Sequence, residues 1–389
     1  MNTQNTPVHI KLWHKDFWLL VIADLLLTMS VCALIPVLPQ WLMNIENFSP
    51  RETGLSMGVF GLGLYLLGPQ CSWLVQRYRR NVVCMWAIVF MAVDFALLWY
   101  IDGLRSEFVE FWVILLQRLL LGAAFGLAQM VLSSTLIIDT CESYQRTEAN
   151  HSAAWFARFA LTLGPIAGLV AYGMFGFDKV VLGAIGCALL SLILIKNVRF
   201  PFRAPEEGVH VASLDRFLLP SGYVLFFNLL LVSTVLGLLL SLPLQEMFYA
   251  LMTVGFLFAL IAGHFVFRDA ELKSEIITGL ILLSAALLIM FGHPDSPVAP
   301  ILVGLGIGIV SSRYLLFFIK LSRHCKRGTS QSTFFLGWET GLAIGLTAGY
   351  TLLYDNVRIL LYTALTLTVL ALLMYHFFTH AWFMRNKNR

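Results

Sequence analysis

The sequence predicts an all-α membrane protein of twelve transmembrane helices arranged as two pseudo-symmetric six-helix bundles. Three observations predict it. The chain of 389 residues is 59% hydrophobic and only 12% charged, apolar runs of about 20 residues recur along nearly its whole length, and Gly, Pro and charge punctuate its two halves alike. So little charge cannot clothe one large soluble domain, which leaves the bilayer as the principal solvent. Each run can cross a hydrocarbon core about 30 Å thick at about 1.5 Å per residue.

The spans are read at 17–38, 53–75, 82–102, 108–137, 152–175, 179–197, 218–241, 246–267, 274–293, 298–321, 331–354 and 357–380. Span 1 follows Lys11 and Lys15 and ends in Ile35-Pro36-Val37-Leu38-Pro39. It is too long for a signal peptide and has no small-residue cleavage site, so it is retained as a helix. Gaps as short as 176–178 and 242–245 leave eleven or thirteen crossings open on hydropathy alone. Charge favours twelve. With the N-terminus in the cytoplasm, the basic residues around 77–80, 196–203, 268–273, 320–327 and 385–389 all fall inside, against only Arg51, Arg105, Lys179 and Arg358 outside. That bias requires an even number of crossings with both termini cytoplasmic, as in a multi-pass protein of a bacterial inner membrane. The net charge of +4 then reflects topology and is no nucleic-acid footprint.

Cys32, Cys71, Cys84, Cys141, Cys187 and Cys325 have neither pairing nor metal-ligand spacing and read as packing residues. No metal or cofactor is called for. The absence of a phosphate-binding P-loop excludes transport driven by the chain's own ATP hydrolysis.

The longest polar connection, 198–216, contains Pro201, Pro205, Glu206, Glu207 and Gly208 and reads as a cytoplasmic linker. It separates a bundle over 1–197 from one over 217–389. Asp24 precedes Pro39 by the same spacing that separates Asn228 from Pro243. Gly122 and Gly126 in span 4 match Gly304 and Gly308 in span 10, a small-xxx-small step that lets helices approach closely. Arg146, Arg158, Gly164 and Gly168 recur as Arg327, Glu339, Gly345 and Gly349 at one constant offset without a gap. Together these make a parallel repeat the preferred organisation.

At these residues the chain resembles the major facilitator superfamily, most closely its bacterial drug and sugar efflux members, which act as proton antiporters. Leu34 to Pro39 resembles the family's end of helix 1, and Arg118-Leu-Leu-Leu-Gly122-Ala-Ala-Phe-Gly126 its helix 4 motif. Gly164-Pro165-Ile166-Ala167-Gly168 resembles the helix 5 motif associated with antiport, and Arg327 to Phe334 the entry to helix 11. The loop between spans 2 and 3 departs from the pattern. Gly68, Arg77, Arg79 and Arg80 are read as a cytoplasmic gate loop, but Gln76 stands where an aspartate is expected and Arg79 where a glycine is.

Asp24, Asp94, Arg118, Arg158, Arg313 and Glu339 fall well inside spans. At about 2.5–3.5 kcal/mol each at a helix centre, they must face one another or a water-filled cavity. Arg158 and Glu339 occupy equivalent positions and are read as a pair near the midplane, with Glu339 the proton carrier and Arg158 its modulator. A static ion pair holding the halves together is the competing reading. Asp24 is a second proton site, and Arg118 takes the coupling role that the resemblance implies for the helix 4 arginine. Asp24, Asn228, Gln129, Arg158 and Glu339 are expected to line the cavity. Asp94 has no motif support, and Arg313 is read as snorkelling toward the cytoplasm. Gly164-Pro165 invites a kink.

The reading is a monomeric, proton-coupled secondary transporter that exports small organic, amphipathic molecules by alternating access. Alternatives are import, facilitated diffusion or flipping of a sugar, metabolite or lipid-like substrate. From another class, a membrane-embedded enzyme would need a catalytic cluster at a membrane face, where His293-Pro294-Asp295 lacks partners. A non-transporting sensor would survive neutralisation of the central charges.

Overall fold

The computed structural model describes residues 11–104, 110–142, 144–200, 208, 210–267, 271–323 and 326–388. Arg105, Pro201, Arg203, Pro205, Glu206, Glu207, Arg268, Cys325 and Arg389 lie outside them. The described chain is helical throughout, with no strand among the described residues.

Span 1 is two helices, α1 (Lys15–Cys32) and α2 (Leu34–Asn44), the second carrying Pro39. Pro36 has no N–H for the Cys32 carbonyl and its ring crowds that carbonyl, which accounts for the break at Ala33. Span 2 begins α3 (Pro50–Leu66) on a reciprocal capping box between Ser49 and Glu52. At Gly68-Pro69 it bends by 49° into α4 (Cys71–Arg77). Next come α5 (Arg80–Leu104), α6 (Phe111–Val131) and α7 (Ile137–Asp139). A π-helical turn over Leu132–Leu136 joins α6 to α7. There Ser133 and Ser134 donate to the carbonyls four residues back at 2.7 and 2.5 Å, and Thr135 does likewise. Such back-bonding competes with the helix ladder and widens it locally.

The first half ends with α8 (Arg146–Phe175) and α9 (Phe177–Lys196), split at Gly176, whose φ of 89° an L side chain rarely adopts. The second half contains α10 (Tyr223–Leu240), α11 (Glu246–Phe265), α12 (Leu272–Gly292) and α13 (Val298–Leu321). It closes with α14 (Arg327–Leu352), α15 (Val357–Met374) and α16 (His380–Asn386), the last two joined by a π-helical turn at Tyr375–Thr379.

Among the described residues, ten helices are long and apolar enough to cross a membrane, or eleven if the bent α3–α4 pair is one span. The remaining expected span is α14, whose 26 residues fall short of that apolarity because Arg327, Gln331, Glu339, the glycines Gly328, Gly337, Gly341, Gly345 and Gly349, and several hydroxyls dilute the sequence. Its polarity belongs to the site described below.

Helix pairing recurs between the halves. In the first, α1 packs on α8 and α9, α3 on α6, and α5 on α6 and α9; in the second, α10 packs on α14 and α15, α11 on α13, and α12 on α13 and α15. Each pairing repeats six spans later. The close approaches repeat too. A Cβ on Gly122 would lie 2.2 Å from the Phe60 carbonyl oxygen, and one on Gly304 would lie 2.1 Å from that of Met252. Gly164 and Gly168 of α8 meet α1 near Cys32 and Ala33, as Gly345 and Gly349 of α14 meet α10 and its end near Thr234 and Ser241. Gly126 and Gly308 sit against Leu64 and Ala259. Pro165 is accommodated within α8, which runs unbroken through it. Across the halves, α3 packs along α14 and α8 along α11.

Candidate substrate and proton site

A cavity of about 70 Å³ lies among α1, α6, α8, α13 and α14. Asp24, Gln129, Arg158 and Glu339 all line it, together with Asn150, Ser311 and Gln331. Apolar wall is supplied by Phe125, Phe334, Phe335 and Trp338. Asp24 is 2% exposed and accepts a hydrogen bond from Gln129 Nε2 at 2.6 Å. Arg158 is 5% exposed; its Nε donates to Ser311 Oγ at 2.7 Å, and its guanidinium lies 4.8 Å from the Trp155 ring centre. Among the described residues, Arg158 Nη1 and Nη2 have no hydrogen-bond partner, nor have Gln129 Oε1, Asn150 Oδ1 and Gln331 Oε1.

Arg158 and Glu339 therefore share the cavity, but the expected ion pair between them is not formed. Ser311 and Trp155 fix the guanidinium from α13 and α8 instead. A smaller chamber of about 30 Å³ adjoins, sharing Thr28, Cys32, Phe125, Leu161 and Glu339 with the first and adding Arg118. Glu339 thus stands between the two buried arginines. Arg118 lies 4.9 Å from the Phe60 ring centre, and its Nε and Nη1 are without hydrogen-bond partners. Asp94 lines neither chamber and accepts from Gln117 Nε2 at 2.6 Å.

Two expectations need correction. Asn228 does not line the cavity: it is fully buried, donates to the Ala371 carbonyl and Thr379 Oγ1, each at 3.2 Å, and accepts from the Tyr314 hydroxyl. Its amide is consumed by packing of α10 on α13 and α15. Arg313 does not snorkel free; it forms an ion pair with Glu275 of α12. Both border a crevice of about 770 Å³ among α8, α11 and α13, where His151 also meets Ser312 at 2.7 Å.

One face of the bundle collects His14 and Asn388, near the two limits of the described residues. His14 reaches the Thr140 carbonyl at 2.9 Å, Asn388 bonds the backbone of Lys320, and Gly328 abuts Ser134. The residues expected to form a gate loop are here. Arg80 pairs with Asp139, Gly68 packs beneath the Phe217 ring, and Arg77 and Arg79 are exposed. Residues 213–219 occupy the same place. Asp215 accepts from Ser72 at 3.4 Å and from Thr329 at 3.1 Å, while the Ser213 and Leu219 amides donate to Pro69 and Thr333.

The family model described as Major Facilitator Superfamily matches residues 20–345. The chain belongs to the Major Facilitator Superfamily. Membership makes it a membrane transporter and not an enzyme. No curated protein matches the sequence. Among solved structures, a POT family transporter, PepTSo, superposes with a TM-score of 0.71 at 12% identity, covering 96% of this chain and 99% of its own. A bacterial homologue of the iron transporter ferroportin, inward-facing, gives 0.69 at 16% identity, with 95% and 98% covered. The human organic anion transporter MFSD10 gives 0.66 at 16% identity, with 93% and 99% covered. At such identities these likenesses establish the superfamily fold alone.

In this superfamily member, sequence reasoning missed Asn150, Ser311, Gln331 and Trp155. The signal available was polarity inside spans: Ser311-Ser312 and Gln331-Ser332-Thr333 interrupt otherwise apolar helices. Glu275 was missed because it opens a span, where a charge is ordinary.

Proposed function

We propose that the chain is a proton-coupled secondary transporter that carries a small amphipathic solute through the central cavity by alternating access. One observation carries the reading. Asp24 and Glu339 both line the cavity, and among the described residues neither has a cationic side chain within ion-pair distance. Carboxyls so placed bind and release protons when the cavity opens to one face and then the other. In this reading twelve helices cross a bacterial inner membrane with both termini cytoplasmic. Bundles over 1–197 and 217–389 rock about the cavity as a monomer, with 198–216 as their linker. Arg118 and Arg158 tune the carboxyls from the two sides of Glu339.

Direction has two readings. Export by antiport is supported by the family-like segments at Leu34–Pro39 and Gly164–Gly168 and suits a solute that competes with protons for the carboxyls. Uptake with a proton is supported by the partnerless Arg158 fork, which suits a solute that replaces an ionised carboxylate. The test is movement of labelled amphipaths into or out of proteoliposomes under an imposed pH gradient. Gradient-driven movement that a protonophore abolishes is the expected result. Movement indifferent to the gradient contradicts proton coupling.

A further inference from the structure

We infer that Arg158 is the receptor for the head group of the substrate, and that the substrate is an organic monoanion, a carboxylate on an apolar or aromatic body. The inference rests on the reading of the cavity as the transport site and assigns the chemistry that site selects. Arg158 is 5% exposed and cannot shed its charge. Its Nε is committed to Ser311 and its face to Trp155, which fixes the plane of the fork. Both terminal nitrogens, Nη1 and Nη2, remain without partners on a group that lines the cavity. A guanidinium held in one plane with two free donors matches the two oxygens of a carboxylate.

The neighbouring charges narrow the class. Asp24, facing from α1, is held by Gln129, and Glu339 faces from α14; on Arg158's own helix His151 is engaged by Ser312. Arg118 of α6 lines only the adjoining chamber, and Arg313 of α13 is taken by Glu275. Among the described residues, Arg158 is the one cation lining this chamber, set against two carboxyls, which accommodates a single negative charge, whereas the second charge of a phosphate monoester would face Asp24 and Glu339 unpaired. The body of the ligand would lie against Phe125, Phe334, Phe335 and Trp338. An anion on Arg158 takes over the balancing of its charge, so anion binding and protonation of Glu339 or Asp24 favour each other, a reciprocal linkage. Affinity for the anion should therefore rise as pH falls.

The test titrates purified full-length protein in detergent with phenylpropanoate, its primary amide, phenylpropylammonium and phenylpropyl phosphate, by calorimetry. The carboxylate should bind about tenfold tighter than the amide and tighter than the phosphate, with the gap widening at lower pH. Arg158→Gln should erase the preference of carboxylate over amide, and Ser311→Ala, which frees Nε without removing the charge, should narrow it. Equal binding of acid and amide, preference for the ammonium or the phosphate, or a carboxylate preference that survives Arg158→Gln overturns the inference. The comparison in the unsubstituted protein decides even where Arg158→Gln fails to fold. Loss of this inference with proton-driven transport intact would leave the proposed function standing, and the reverse result would separate them equally.

Discussion

Asp24 in α1 and Asn228 in α10 hold equivalent positions in the repeat, each the same distance before a Leu-Pro pair, yet their surroundings are opposite. Asp24 lines the cavity and is held by one neutral donor from α6, Gln129. Asn228 is enclosed by three partners, Tyr314 of α13, Thr379 and the Ala371 carbonyl. Both side chains thus tie the first helix of a half to its fourth, but only one looks onto open space. Partners on α13, on α15 and in the turn after it enclose one position, whereas the cavity borders the other.

That contrast is open to direct challenge. The largest effect should come from Asn228→Asp, which turns the Nδ2 donor into an oxygen facing the Ala371 carbonyl and places a charge in a packed helix interface. A loss of about 2.5–3.5 kcal/mol is expected, read as a lower thermal midpoint in detergent; unchanged stability would mean that this position, too, reaches the cavity. Gly122→Ala and Gly304→Ala come next, each about 1–3 kcal/mol, because both would drive a Cβ into a carbonyl of the facing helix. Similar losses are expected from the two, and tolerance of one alone would break the equivalence of α6 and α13. Tyr314→Phe should cost about 1 kcal/mol by leaving Asn228 Oδ1 without a donor. Asp24→Asn is the mildest for stability, under about 1 kcal/mol, since an amide can still accept from Gln129. Wholesale loss of folded protein from this substitution would contradict the placement of Asp24 on the cavity.

Much of the fold was legible in sequence because membrane crossing imposes long apolar runs, and close helix packing in lipid imposes small residues at fixed steps. Gly122 and Gly304 announced their contacts that way. The crossing count was harder: α14 is the least apolar of the long helices because it supplies Gln331 and Glu339 to the cavity, so the segment most involved in the site carries the weakest membrane signal. Buried charges were found as single residues, but their partners were not. Arg158 meets Ser311, and Arg313 meets Glu275, contacts set by helix rotation, which hydropathy does not report. Asp215 accepts from Ser72 and Thr329, contacts between segments far apart in the chain that hydropathy likewise does not report.

The central claim is that Glu339 carries the coupled proton. Its most direct test compares proteoliposomes of the unsubstituted protein with Glu339→Gln in two modes, accumulation driven by an imposed pH gradient and gradient-free exchange of labelled for unlabelled substrate. Exchange that persists while gradient-driven accumulation disappears is the predicted result, because a permanently neutral side chain allows the loaded cavity to change faces without moving a proton. Gradient-driven accumulation at an unchanged rate in Glu339→Gln would contradict the account.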